Sequence, residues 1–344
     1  MKKTLQKGAA ARPLGRVLLL LTVLMLALCV TELCCGRYRV SVGDTLRILL
    51  SGILPLEKSW TDMAQNAVLL IRLPRMLGAV LIGAALAMSG CAYQSIFQNP
   101  LVSPDLLGVS NGACIGAALA ILSGGGAVVI QIGAFLGGLC AVGLTAAIPR
   151  LMRKKSTVTL VLSGVIVSGL CASIMGIIKY MADPESELAE IVYWQMGSLS
   201  KLTTKSLPPM VPVMVVCILG LVILRWRVNV LSLGDREAQA LGVNLRLERG
   251  VVVVLSTLLT ASSVCLAGTI GWVGLVMPHL ARGLVGSDNT RAIPTAALLS
   301  ASFMLVIDLC ARSLTGAELP VSILTGLVGA PFFAFVLARE ASVE

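Results

Sequence analysis

Long apolar runs alternate with short polar stretches along the chain, and one polar island divides the pattern. The island is residues 229–249, NVLSLGDREAQALGVNLRLER, flanked by apolar runs at 207–224 and 251–267. Ser232 stands three residues before Asp235, a spacing that predicts a helix start where the hydroxyl meets a free N–H. Asp235 and Glu237 fall in the first turn, where negative charge suits the helix dipole. Gly242 is placed to close the helix in the left-handed conformation, with Val243 making an apolar contact beyond it. Such a helix has about two turns, far too short to cross a bilayer. Two readings stand on these residues alone, a docking surface and an ordinary ordered loop.

Apolar runs at 17–30, 73–97, 106–122, 128–148, 158–181, 207–224, 251–267, 272–285, 293–310 and 321–338 predict about ten transmembrane helices, the eighth short. Lys2, Lys3, Lys7, Arg12 and Arg16 precede the first run in the manner of a secretory signal, but no small-x-small cleavage site follows. The expectation is an uncleaved first span with its N-terminus inside. Residues 37–71 then read as an exterior stretch with a short interfacial helix around 44–50. Small residues recur at helix-packing spacing: Gly108, Gly112 and Gly116, then Gly133 and Gly137, then Ser322 and Gly326. Lipid gives no hydrophobic drive for helix association, so close backbone approach has to supply it. Spans 2–5 and 7–10 form two four-helix halves compatible with an inverted repeat.

Composition agrees with the pattern. Hydrophobic residues make up 57% of the 344, charged ones 13%, and the mean hydropathy is +0.93. These values place the chain among all-α polytopic membrane proteins, as one integral domain over residues 1–344. The net charge of +10 does not imply nucleic acid, because the basic residues sit in short clusters between apolar runs. Arg150, Arg153, Lys154 and Lys155, the island arginines Arg225, Arg227, Arg236, Arg246 and Arg249, then Arg282, Arg291 and Arg339 fall on the side of the N-terminal basic group. Asp183, Glu185, Glu187 and Glu190 fall on the other. The island and both termini are therefore expected to be cytoplasmic.

Several chemistries are missing. No GxxxxGK[ST] loop exists for nucleotide hydrolysis, and the single histidine, His279, leaves no imidazole-rich metal site. The ten cysteines are scattered without a CxxC pair and read as reduced, packed thiols. Asp308 and Lys179 are the candidate buried ionisable groups, both near span ends. An ion-driven carrier normally keeps carboxylates near the midplane.

Four stretches carry a family resemblance: RLPRMLGAVLIGAALAMSGCAYQSIFQNPLVSPDLLGVSNGA from Arg72, LSLGDREAQALGV from Leu231, GTIGWVGLVMPHLAR from Gly268 and ELPVSILTGLVGAPFF from Glu318. In this order they resemble the FecCD-type permeases, membrane subunits of ABC importers for iron–siderophores, haem and cobalamin. Gln98 departs from the pattern, since many relatives carry arginine before Asn99. The resemblance implies a single ten-span permease domain in the bacterial cytoplasmic membrane. It implies as partners a second permease copy, two cytoplasmic ATPase subunits that use ATP and Mg, and an external substrate-binding protein. This chain itself would bind no cofactor, catalyse no reaction and contact no nucleic acid.

The resemblance also implies roles for residues. Gly234, Asp235, Glu237, Ala238, Leu241 and Gly242 correspond to the coupling helix that docks on the ATPase. Asn99, Pro100 and Leu101 correspond to an inner gate, with Leu101 as a plug and Asn99 bonding nearby backbone. Arg72, Arg75 and Arg312, three cations on the side where the orientation rule disfavours them, correspond to contacts with binding-protein glutamates. Pro74 is expected to hold the chain extended ahead of it. The expected cargo is an iron–siderophore or related chelate, haem and cobalamin included. A secondary, ion-coupled transporter is the alternative.

Overall fold

The computed structural model describes residues 13–36, 38–52, 54–55, 57–153 and 157–341. Lys2, Lys3, Lys7, Arg12, Arg37, Lys154 and Lys155 lie outside them. Every regular element among the described residues is helical. In chain order these are α1 (Leu14–Cys34), α2 (Val42–Leu50), α3 (Asp62–Asn66), α4 (Leu73–Ile96), α5 (Val109–Leu122), α6 (Ala127–Leu151) and α7 (Thr157–Met181). Then come α8 (Glu187–Gln195), α9 (Val211–Ser232), α10 (Asp235–Ala240), α11 (Leu245–Ala267), α12 (Val273–Val285), α13 (Asn289–Ser313) and α14 (Val321–Ala341).

Among the described residues, seven helical segments are long and apolar enough to cross a membrane, and three shorter apolar helices, in α5, α12 and α14, occupy the remaining expected positions. Two features differ from expectation. Pro74 lies inside an unbroken helical path from Asp62 to Ile96, because a π-turn at Ala67–Arg72 precedes it. Leu73 N–H reaches back to Val68 O across that wider turn, which accommodates the proline without kinking the chain into an extended approach. The third span is only 14 residues, since the 3-10 turn Pro104–Leu107 and left-handed Gly108 occupy its expected first turn. The interfacial helix is α2, capped by Ser41, whose hydroxyl accepts from Asp44 N–H at 3.0 Å.

α4 is the central helix. It packs against α9, α11, α12 and α13, and from Ala85 to Ile96 its side chains are buried. Its glycines permit this: a Cβ on Gly90 would run into the carbonyl of Gly274 on α12. α5 and α6 pair through the expected stripe, Gly112 against Gly137 and Gly116 against Gly133. The helix lengths repeat. α4 to α7 run long, short, long, long, and so do α11 to α14. Both short members follow left-handed residues, Gly108 before α5 and Trp272 before α12.

Candidate functional site

The island folds as α9's last turn, α10, and the start of α11. α9 runs on to Ser232, so that serine is not the cap of the next helix; its hydroxyl donates to Asn229 O at 2.7 Å. Gly234 is the residue before α10 instead, at φ 112°, a conformation open to glycine. The far end closes as expected. Gly242 has φ 78°, its N–H donates to Gln239 O at 2.9 Å, and Val243 N–H donates to Ala238 O at 3.1 Å. These two bonds are the paired signature of a Schellman closure, and Val243 is buried beside them. Asp235, Glu237, Leu241 and Gly242 are exposed. Ala238 is fully buried against the bundle, so it anchors the helix rather than facing a partner. Arg249 pairs with Asp235, and Arg227 with Glu248 at 3.0 Å, tying α10 and α9 to α11.

The turn Asn99-Pro100-Leu101 lies next to α10. Asn99 Oδ1 accepts from Leu101 N–H at 2.9 Å, Asn99 N–H donates to Gln94 O at 3.1 Å, and Val102 N–H to Asn99 O at 3.3 Å. Leu101 is 56% exposed. A cavity of about 410 Å³ is lined by Asn99, Leu101 and Val102 of the turn, by Asp235 and Arg249 of the island, and by Val158, Val161 and Leu162 of α7. Two groups far apart in sequence therefore share one space.

The three arginines at the opposite end are placed differently from expectation. Arg72, Arg75 and Arg312 are all buried, their guanidinium groups engaged within the chain. Arg75 grips Asp308 through Nε and Nη2, at 3.0 and 2.8 Å, and Glu318 through Nη1 at 2.8 Å. Arg312 pairs with Glu32 at 2.6 Å and lies 3.7 Å from Asp308. Arg72 donates to the carbonyls of Leu33 and Cys34 at the end of α1 and of Tyr38 beyond it. Buried charges need such partners, and the fold supplies them from α1, α13 and the loop before α14. The arginines are thus buried and paired within the chain, whereas the expectation had them free at the surface to meet glutamates of the binding protein. The missed signal was Asp308 and Arg312 at helical i,i+4 spacing, with Glu32 as a second acid in an apolar helix.

The sequence reading also passed over a polar network beneath the turn. Arg282 on α12 donates to Gln94 Oε1 and, at 3.2 Å, to Cys91 O. Ser95 donates to Asn289 Oδ1 at 2.8 Å, and Asn289 N–H to Asn229 Oδ1 at 2.7 Å. All ten cysteines are free. Among the described residues, no group of three or more His, Cys, Asp or Glu is placed to hold a metal ion.

A family model described as the FecCD transport family matches residues 23–339. The chain belongs to the FecCD transport family. It is 38% identical over 324 residues to the molybdate import system permease protein of Haemophilus influenzae, covering 94% of this chain and 96% of that one. It is 37% identical over 301 residues to the hemin transport system permease protein of Yersinia pestis, covering 82% and 86%. An inward-facing structure of a transporter assigned to the metal-chelate ABC type superimposes with a TM-score of 0.85 at 37% identity, over 94% of this chain and 99% of that one. As a FecCD member the chain is a multi-pass membrane permease of an ABC importer, with transport rather than catalysis as its task. Family membership removes the ion-coupled alternative.

Proposed function

We propose that this permease carries a metal chelate inward by alternating access, with α10 as the docking helix for an ATPase and Asn99-Pro100-Leu101 as the inner gate. The observation that carries this reading is the shared cavity, which sets the capped helix beside the turn. Asp235, Glu237 and Leu241 are the exposed contacts, Gly234 and Gly242 fix the helix ends, and Ala238 joins it to the bundle. The working unit is one permease domain paired with a second copy, two ATPase subunits that bind ATP and Mg, and an external binding protein. This chain binds no cofactor of its own. The α10 end and both termini face the cytoplasm of a bacterial inner membrane, a reading supported by the basic residues clustered on that side. Arg72, Arg75 and Arg312, expected to meet glutamates of the binding protein, instead hold that end of the bundle in shape through partners within the chain.

The leading cargo is an iron–siderophore, with haem and cobalamin as related chelates. Molybdate, a small oxyanion, is a second reading, favoured by the 38% identity to a molybdate permease over nearly the whole chain. The test is ATP-dependent uptake by the complex reconstituted in vesicles, with ferric siderophores, haem, cobalamin and molybdate compared. In the same complex, Leu101→Cys is expected to cross-link between permease copies in one nucleotide state and not the other. Uptake of molybdate alone would overturn the chelate reading, and equal cross-linking in every state would remove the gate.

A further inference from the structure

Two glutamines, four residues apart where α4 ends, treat the gate turn differently. Gln94 is buried, and its amide donates to Val102 O and to Leu275 O on α12, both at 3.2 Å. With Arg282 holding its oxygen, Gln94 fixes the far side of the turn to the bundle. Gln98 is exposed and departs from the helix at φ 50°, a left-handed conformation uncommon for a residue with a side chain. That backbone turn directs its side chain across to the island, where Nε2 donates to Ser232 O at 2.9 Å. Ser232 is the last residue of α9, two before Gly234. A Cβ on Gly234 would stand 3.3 Å from Gln98 Nε2 and 2.9 Å from Glu237 Oε2, so glycine leaves room for the amide.

We propose that Gln98 is the positioning residue through which α10 moves the gate. This rests on the reading of α10 as the ATPase-docking helix and of Asn99-Pro100-Leu101 as the gate. Gln98 is covalently joined to Asn99, so a shift of residue 98 is a shift of the turn. Its only side-chain anchor among the described hydrogen bonds is the carbonyl at the root of α10. Val102, on the other side, is held by Gln94. Backbone bonds from Asn99 N–H to Gln94 O and from Gln98 N–H to Ser95 O make the last turn of α4 the hinge. A pull on residue 98 from the island therefore tilts the turn between that hinge and Val102, and the cavity of about 410 Å³ beside Leu101 gives it space to do so. What Gln98 must supply is an N–H donor of sufficient reach, because its partner is a carbonyl that can only accept.

The donor requirement sets the experiment. Gln98→Ala, Gln98→Glu and Gln98→Arg are compared in the full complex with ATPase and binding protein. The readouts are uptake per ATP hydrolysed and nucleotide-dependent cross-linking of Leu101→Cys. Ala and Glu are expected to lower uptake per ATP by roughly fivefold, the scale of one hydrogen bond's net contribution, and to flatten the cross-linking difference. Arg keeps N–H donors at that reach and is expected to restore both. A role in shape alone predicts the reverse order, since Glu is nearest to Gln in size. Wild-type coupling in the Glu variant, or an Arg variant as poor as Ala, overturns the proposal. If Leu101→Cys shows no nucleotide dependence on the native background, the gate reading fails and the role of Gln98 with it. If the dependence is present there and survives unchanged in Gln98→Ala, the role of Gln98 alone fails.

Discussion

Gly242 closes α10 at φ 78° with no atom within 4 Å of where a side chain would begin. A replacement there meets open space, so its penalty is one of backbone conformation alone. A residue with a Cβ in the left-handed region is disfavoured by about 1–2 kcal/mol, and a β-branched one by more. Gly242→Val is therefore expected to fray the Schellman closure and lower uptake per ATP, while Gly242→Asn is tolerated. Co-purification with the ATPase alongside transport assays checks this, and full coupling in the Val variant would separate α10's cap from its function. Asp288 offers a second residue-scale test. It caps α13, accepting from Thr290 N–H at 2.8 Å and from Asn229 Nδ2 at 2.6 Å. Partial burial disfavours its charge, but the hydrogen bonds from Asn229 and Thr290 and the nearby Arg291 outweigh this and hold its pKa below the usual aspartate value. A lowered folded pKa gives stability that is present above the unfolded pKa and lost as pH falls through the folded one. Asp288→Ala should thus lower stability by about 1 kcal/mol at neutral pH. The deficit should stay level from roughly pH 5 to 8 and shrink only below about pH 4. Thermal unfolding across that range decides it; an equal deficit at the most acid end would mean that the ionised cap is not the source.

At the scale of elements, α5 and α6 are joined by glycines whose missing side chains let the backbones touch. A Cβ on Gly116 would overlap Gly133 O, whereas Gly143, also on α6, has nothing within 4 Å. Gly116→Val should force the helices apart, at about 1–3 kcal/mol or more for overpacking, while Gly143→Val leaves stability unchanged. Unfolding midpoints in detergent compare the two directly, and equal midpoints would show that the stripe is incidental. This stripe was legible in the sequence because small residues at four-residue spacing mark one helix face. The spans were legible too, because bilayer thickness dictates the length of an apolar run. Ends and breaks were less so. Ser232 had the chemistry of a cap, but α9 continues through it, since Leu231 and Val230 remain buried in the bundle. Pro74 had the signature of an extended approach, and the π-turn that absorbs it leaves no sequence mark. Gln94, Arg282 and Asn289 were silent for another reason. Isolated polar residues among apolar ones have no periodicity, and only the fold shows that their partners lie nearly 200 residues away.

At the scale of the whole molecule the two ends are built on different terms. The α10 end keeps a cavity and exposed charges, whereas the opposite end is closed by three arginines and the acids Glu32, Asp308 and Glu318. Asp308 is fully buried between Arg75 and Arg312, so one carboxylate links α4 to α13 and, through Arg312 and Glu32, to α1. Removing one member of a buried pair strands the other charge, which costs about 3–5 kcal/mol. Asp308→Ala is expected to lose most assembled permease and to lower its unfolding midpoint sharply. Replacing both members with apolar residues of similar volume removes the buried stranded charge and leaves only Glu318, which reaches solvent, without its arginine, so Arg75→Met with Asp308→Leu should recover much of the loss. The comparison distinguishes an internal clasp from a docking surface. A docking arginine predicts that Arg75→Met leaves the isolated permease as stable as before and weakens only its affinity for the binding protein. A clasp predicts instability of the isolated permease, relieved by the second substitution, before any partner is added. Wild-type stability in both single variants would return these arginines to the surface reading.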